Sequence, residues 1–253
     1  MGAAFVGTSG FYYSSWIGDF YPQDIKKPDL LAYYQKTFHT VEINSSFYHI
    51  PRATTVENWK SKVDKNFVFV FKASRTITHL KKFNIDKDLI DMVFTPIASF
   101  SSNPPKHLFL FQTPGNVHAH LDKLEHLLQL LPKTFMYAFE FRHDTWFQEE
   151  IYDCLKKFNA AVVLSDSPTK LSGERLWPYY DVETADFAYV RFHGSKQLYY
   201  SSYSDEELEM YASLIHHKLE KNINVYAYFN NDAGGFATKN ALTLLAYLKK
   251  QQK

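Results

Sequence analysis

"AFEFRHDTW", residues 138–146, begins as a strand should, with Phe139 and Phe141 sharing one face by the two-residue period of an extended chain. The other face runs Ala138, Glu140, Arg142, so an acid and a base stand where core side chains are expected. A strand that is apolar on both faces at its start and ionisable on one face at its end fits a parallel barrel. In that architecture the inner face is packed low in the barrel and opens at the C-terminal mouth, where active sites lie. Glu140 and Arg142 are expected to point into such a mouth.

β-rich runs of this kind recur at 3–9, 40–44, 66–72, 107–112, 135–141, 160–165, 187–193 and 224–229. Most of the gaps carry helix signals. Pro28 opens "PDLLAYYQKTF", Thr55 precedes "VENWKSKV", Thr145 precedes "WFQEEIYDCLKKF", and Ser204 with Glu207 has the spacing of a capping box. Alternating strands and helices without a long linker predict an α/β chain, a single (β/α)8 TIM-type barrel occupying residues 1–253 as one domain. Two βα segments are extended, 73–106 after strand three and 168–186 after strand six. Excursions of this sort are where barrels build covers and binding surfaces.

Composition is consistent with this architecture and narrows the partners. A length of 253 residues with 45% hydrophobic content suffices for one large core, and a formal charge of +1 excludes a chain that attracts polyanions over its whole surface. Any basic patch is local. Cys154 is the one cysteine, which rules out an internal disulfide and points to a reducing, cytoplasmic setting with a buried, inert thiol. The chain enters its first strand without a basic, cleavable leader, and no apolar run reaches membrane-span length, so neither export nor a membrane partner is expected.

Strand parity then selects the residues that line the mouth. Strand two contributes Glu42 and Asn44, strand three Lys72, strand four Gln112, strand five Glu140 and Arg142, strand seven Arg191 and His193, and strand eight Tyr228 and Asn230. Two acids against three permanent or potential cations favour an anionic ligand. The alternative is a closed ion-pair network that only plugs the barrel. Burying ions costs several kcal/mol each unless they are paired, so such a network is a poor device for stability alone.

Two loops suggest phosphate. Gly234 and Gly235 in "NNDAGGFATKNA" precede the last helix, where backbone N–H groups can cradle an anion, and Gly194 and Ser195 follow strand seven. The competing reading is a pair of ordinary turn glycines. Arg75, His79, Lys81 and Lys82 follow strand three on the mouth side, and Trp16, Tyr21, Phe47, Tyr48, Trp146, Tyr200 and Tyr203 follow strand ends. Some of these rings are core, Phe47 and Trp146 first among them; the others are candidates to stack on a ligand. Metal spacing is weak: His118 and His120 in "HAHLD" diverge if helical, and no dinucleotide or P-loop motif occurs. The cofactor, if any, and the oligomeric state are left open.

The motifs "GTSGFYYSSWIGDFYP", "VEINSSFYHIP", "FVFKASRTITH", "FQTPG", "EFRHDTW", "YVRFHG" and "YFNNDAGGFATKNA" stand in the order found in the YecE-like proteins, the domain of unknown function family seventy-two. The resemblance runs essentially end to end. It departs at Phe11, where a Trp is frequent, and at Thr113 and Gly115, where Leu and Pro are common. The resemblance implies a TIM barrel likened to apurinic endonucleases of the endonuclease IV type, and it carries the family's charged positions onto Glu42, Lys72, Glu140, Arg142, Arg191 and His193. The dense His and carboxylate array of trinuclear zinc nucleases is missing from this sequence.

Three functions follow as expectations. The first is a protein binding a small phosphate-bearing molecule or a nucleic acid, with phosphodiester hydrolysis as its chemistry. In it Lys72, Arg142 and Arg191 hold the anion, with Asn44, Tyr48, Gln112, Asn230, Gly234 and Gly235 around it, Glu42 or Glu140 is general base and His193 is acid. The second is a glycoside-acting or isomerising enzyme using Glu42 and Glu140, which requires room for water between the two carboxyls. The third is a non-catalytic binding protein whose mouth charges satisfy one another.

Overall fold

The computed structural model describes residues 1–251. Eight strands form it: β1 (Ala4–Thr8), β2 (Thr40–Ile43), β3 (Val68–Lys72), β4 (Leu108–Gln112), β5 (Met136–Glu140), β6 (Ala160–Asp166), β7 (Phe187–Phe192) and β8 (Asn224–Phe229). All neighbours pair in parallel, in the order β1-β8-β7-β6-β5-β4-β3-β2. The ring closes between β1 and β2 through a parallel bridge at Ser9 and Glu42, with Gly10 N–H donating to Glu42 O at 2.7 Å. Closure needs Gly7: a Cβ there would lie 2.4 Å from the Thr40 carbonyl oxygen. The result is a TIM-type barrel with helices α1 (Leu30–Tyr34), α2 (Ser45–Tyr48), α3 (Ala53–Ser61), α4 (Lys87–Phe94), α5 (Leu121–Leu130), α6 (Glu149–Lys157), α7 (Asp205–Glu220) and α8 (Ala237–Gln251).

The two faces of each strand build two cores. Inside the barrel, Val68, Val70, Leu108, Leu110, Ala138, Ala161 and Val163 meet Phe187, Tyr189, Tyr226 and Tyr228. The rings plug the lumen: Tyr189 and Tyr228 lie 5.2 Å apart, and the Tyr228 hydroxyl bonds to Thr40. Outside, the alternate residues Phe69, Phe71, Phe109, Phe111, Phe139 and Phe141 form a band beneath the helices. Each fully buried ring contributes about 2–3 kcal/mol of apolar transfer. Phe141 stacks on Trp146 at 4.4 Å with planes 2° apart. That stack fixes the chain just beyond β5 and thereby directs Arg142 inward.

Helix signals agree where they are local and fail where a distant contact intervenes. Ser204 and Glu207 form the expected capping box of α7. Thr145 does not cap α6, whose N-cap is Gln148; it lies in a tight turn, and its hydroxyl accepts from Ala119 N–H at 2.8 Å. Thr55 likewise falls inside α3 rather than before it. Segment 73–106 holds a π-type turn, α4 and a 3-10 stretch, whereas 168–186 has no helix. No helix among the described residues is long and apolar enough to cross a membrane.

Candidate functional site at the barrel mouth

At the C-terminal ends of the strands, Arg191 lies between two carboxylates. Its Nε and Nη2 donate to Glu42 at 3.0 and 2.6 Å, and its Nη1 donates to Glu140. The side chains of all three are 0% exposed. Ser9 and Tyr189 hydroxyls complete Glu42 at 2.6 and 2.7 Å. Glu140 also accepts from Ser165 at 2.9 Å, Arg142 Nη2 at 3.1 Å and His193 Nε2 at 3.1 Å. The guanidinium therefore fills the space between the two acids.

These contacts set the charges. Burial opposes ionisation of Glu140, but Arg191, Arg142 and His193 outweigh it and hold the carboxyl well below the usual range. Glu42 is lowered too: burial works against it, while Arg191 and the bonds from Ser9 and Tyr189 prevail. His193 goes the other way, pushed down to about 4 chiefly by burial despite its acidic neighbour, so the ring is neutral at neutral pH. Asn230 Nδ2 donates to His193 Nδ1 at 3.2 Å, which leaves the ring proton on Nε2, facing Glu140. Neither carboxylate nor the imidazole has a free lone pair or proton aimed at solvent. The roles of general base for Glu42 or Glu140 and of acid for His193 are thus not favoured by the geometry.

Toward solvent the balance is positive. Arg142, its side chain 12% exposed, lies over the Trp177 ring at 3.5 Å from the centroid, and Trp177 meets His193 edge-on at 4.8 Å. Lys72 Nζ lies 4.4 Å from the centroid of the Phe47 ring and makes no hydrogen bond or ion pair among the described residues. Burial, then the nearby Arg191, push its amine down to about 8. His79 packs against the same Phe47 ring at 5.0 Å and is driven to about 4, by burial first and then by Lys72 and Arg142. A groove of about 660 Å³ runs from Arg142, His143 and Asp144 to Lys170 and the stretch 174–180. It meets the charged cluster through Arg142 and Trp177.

Other expected site residues stand apart. Gln112 is in register with Glu140 but donates its amide to the Thr113 carbonyl at 2.9 Å. Asn44 Oδ1 is buried without a partner beside a hollow formed with residues 10–13. Tyr48 is exposed on the rim, edge-on to Phe47 at 5.0 Å. Gly235 N–H is occupied by the Asp232 carbonyl at 2.8 Å, and Gly235 takes φ +71°, as a turn glycine does. Asp166, the last residue of β6, bonds to Arg175 of the groove and, at 2.7 Å, to Tyr203. Trp16, Tyr21 and Tyr203 join Phe47 and Trp146 in the core, leaving Tyr48 and Tyr200 exposed among the candidate stacking rings. Ser9, Ser165 and Tyr189 lie on the inner-face parity and were within reach of the same count that found Glu42. Trp177 was not, because its segment carries no period. Asp232, in a loop without a period to mark it, accepts from Trp16 Nε1 at 3.2 Å, has its other oxygen unpartnered, and is raised to about 8 by burial.

The family model described as "Protein of unknown function DUF72" matches residues 5–253. The UPF0759 protein YunF of Bacillus subtilis (strain 168) is 26% identical over 259 positions, covering 90% of this chain and 89% of that protein. The UPF0759 protein YecE of Escherichia coli (strain K12) is 30% identical over 118 positions, 46% of this chain and 43% of its own length. A DUF72 family protein from Thermotoga maritima has a crystal structure that superposes with a TM-score of 0.85 at 30% identity, covering 98% of this chain and 99% of that one. A methyltransferase from Methanosarcina mazei, 9% identical with a TM-score of 0.56, shares the fold alone.

Proposed function

Since the chain belongs to the DUF72 family, described as one of unknown function, its activity has to be argued from the mouth of the barrel, and we propose that it binds a small phosphate-bearing ligand there. The observation that supports this reading is an excess of one positive charge, since two carboxylates, Glu42 and Glu140, face three cations, Arg191, Arg142 and Lys72. Glu42 and Glu140 are taken up by Arg191, which leaves Arg142 with its Nη1 unused and Lys72 with no acid of its own. A phosphate ester supplies the missing negative charge and accepts from Arg142, with Lys72 as a further positive group of the same mouth. The Trp177 ring beneath Arg142 offers an apolar face to the rest of the ligand.

No hydrolytic step belongs to this reading, because the saturated carboxylates act as counter-ions for Arg191 rather than as proton acceptors. A sugar held between Glu42 and Glu140 is disfavoured for a related reason: the guanidinium occupies the gap that a nucleophilic water needs. The test is calorimetric titration with inorganic phosphate, sugar phosphates, mononucleotides and a short single-stranded oligonucleotide at two salt concentrations. Binding of a phosphate monoester is expected, weakened by salt and at least about tenfold by Arg142→Ala, the scale of one lost charge-assisted bond. Lys157→Ala, at the C-terminal end of α6 on the opposite side of the barrel and paired with Glu125, leaves it unchanged. Salt-independent or absent binding across the panel refutes the reading, and binding of the oligonucleotide alone moves it to nucleic acid.

A further inference from the structure

Two lysines of this chain sit in enclosed surroundings at opposite extremes of pairing. Lys218 is buried and bonded to Asp181 at 2.7 Å and Glu183 at 3.2 Å, as a structural lysine must be. Lys72 is half-buried, ends β3 on the inner face, and has an aromatic ring beneath it instead of a carboxylate. Its backbone is held as well, since the Lys72 carbonyl accepts from Ser46 Oγ at 2.8 Å. The side chain is thus fixed at its root, and its amine lies over the Phe47 ring with no carboxylate bonded to it among the described residues.

We infer that Lys72 is a carbonyl-reactive lysine that forms an imine with an aldehyde or ketone carrying a phosphate group, a specification that rests on the phosphate-binding reading of the same mouth. The charged and titratable groups around it are Arg191 of β7, Glu140 and Arg142 at the end of β5, Glu42 of β2, and His79 in the turn after β3. Burial foremost, then Arg191 and Arg142, disfavour a proton on the amine, while Glu140 and Glu42 favour one, and the amine is held at about 8 against 10.5 for an ordinary lysine. At neutral pH it therefore presents on the order of a hundredfold more free base than a surface lysine. Arg142 holds the phosphate, which brings the carbonyl to the amine and converts a bimolecular encounter into an oriented one.

The step balances without a redox partner. The Nζ lone pair attacks the carbonyl carbon while the carbonyl π electrons move to oxygen, which takes up a proton. The carbinolamine then loses water as the C–N double bond forms, giving a protonated imine. That cation meets the same charges as the amine, opposed by Arg191 and Arg142 and favoured by Glu140 and Glu42.

Borohydride trapping tests the inference on the intact protein. Glycolaldehyde phosphate and unphosphorylated glycolaldehyde are each incubated with it across pH 6 to 10 and reduced, and the modified peptides are mapped by mass. At pH 7.5 the peptide holding Lys72 is expected to be labelled at least about tenfold faster by the phosphorylated probe than any exposed lysine peptide, a discounted form of the free-base advantage. The rate rises with a midpoint near 8. Lys72→Arg keeps a cation over Phe47 and abolishes the label; should that variant misfold, the peptide map of the parent protein decides alone. Label spread in proportion to lysine exposure overturns the inference. Calorimetric binding of glycolaldehyde phosphate without trapping also overturns it and leaves the phosphate-binding reading standing. Equal labelling of Lys72 by both aldehydes supports the imine and removes the phosphate from it, and neither binding nor trapping overturns both.

Discussion

Glu140 and Asp232 are both buried carboxylic acids near the C-terminal ends of barrel strands, yet they differ in protonation. Glu140 accepts from Arg191, Arg142, Ser165 and His193 and stays ionised well below the usual range. Asp232 has one donor, the Trp16 indole, and burial raises it to about 8. Depth is common to the two, so the number and charge of the donors make the difference: two guanidinium groups outweigh desolvation and one indole does not. The mouth accordingly holds a fixed anion on β5 and a neutral acid in the loop after β8.

Removing the charge from each acid in turn separates them most sharply. Glu140→Gln leaves Arg191 buried with one counter-ion in place of two and is expected to cost about 3–5 kcal/mol in chemical denaturation. A loss below 1 kcal/mol would mean that Glu42 alone suffices for Arg191.

Asp232→Asn is expected to act in the opposite sense. An ordinary aspartate titrates near 3.8, so between that pH and about 8 the unfolded chain is ionised while the folded one keeps its proton. The folded state then binds more protons, and this acid makes stability fall as pH rises through that window. The variant should melt above the parent at pH 9, with the gap closing toward pH 4. A parallel offset at every pH would place the cause in packing and not in ionisation.

The smallest effect belongs to Asn230→Ala, which removes the donor to His193 Nδ1 at the cost of about one net hydrogen bond, roughly 1 kcal/mol. His193 itself is lowered to about 4 from 6.5, so it makes stability fall as pH drops through that interval, opposite in slope to Asp232. Without the bond from Asn230 the ring is freer to take a second proton. The acid limb of the stability profile should become shallower, because a folded-state value closer to 6.5 narrows the interval over which stability is lost, and an unchanged limb would assign it to His79 or His107, which are also lowered.

The sequence made directions legible and left occupancy hidden. Period two carried Glu42, Lys72, Glu140, Arg191 and His193 to one mouth, because parity depends only on the strand that holds them. It could not say that Arg191 fills the gap between Glu42 and Glu140, which depends on ring closure at Ser9 and on the width of the barrel. Ser204 capped as read because its partner is three residues away, whereas Thr145 was claimed by Ala119 from another loop. Trp177 lies in a stretch where no regular structure writes a pattern, and it reaches Arg142 and His193 through tertiary packing alone. Cys154, by contrast, is the buried thiol its amphipathic helix implies, raised by its apolar surroundings.

The tyrosine plug in the lumen has a consequence for traffic. With Phe187, Tyr189, Tyr226 and Tyr228 closing the barrel below the ion cluster, the mouth is a blind well that opens only upward. Any molecule bound there would have to leave from the side by which it arrived, so arrival and departure would share one barrier, and a change that lowered it would speed both without altering how tightly the molecule is held.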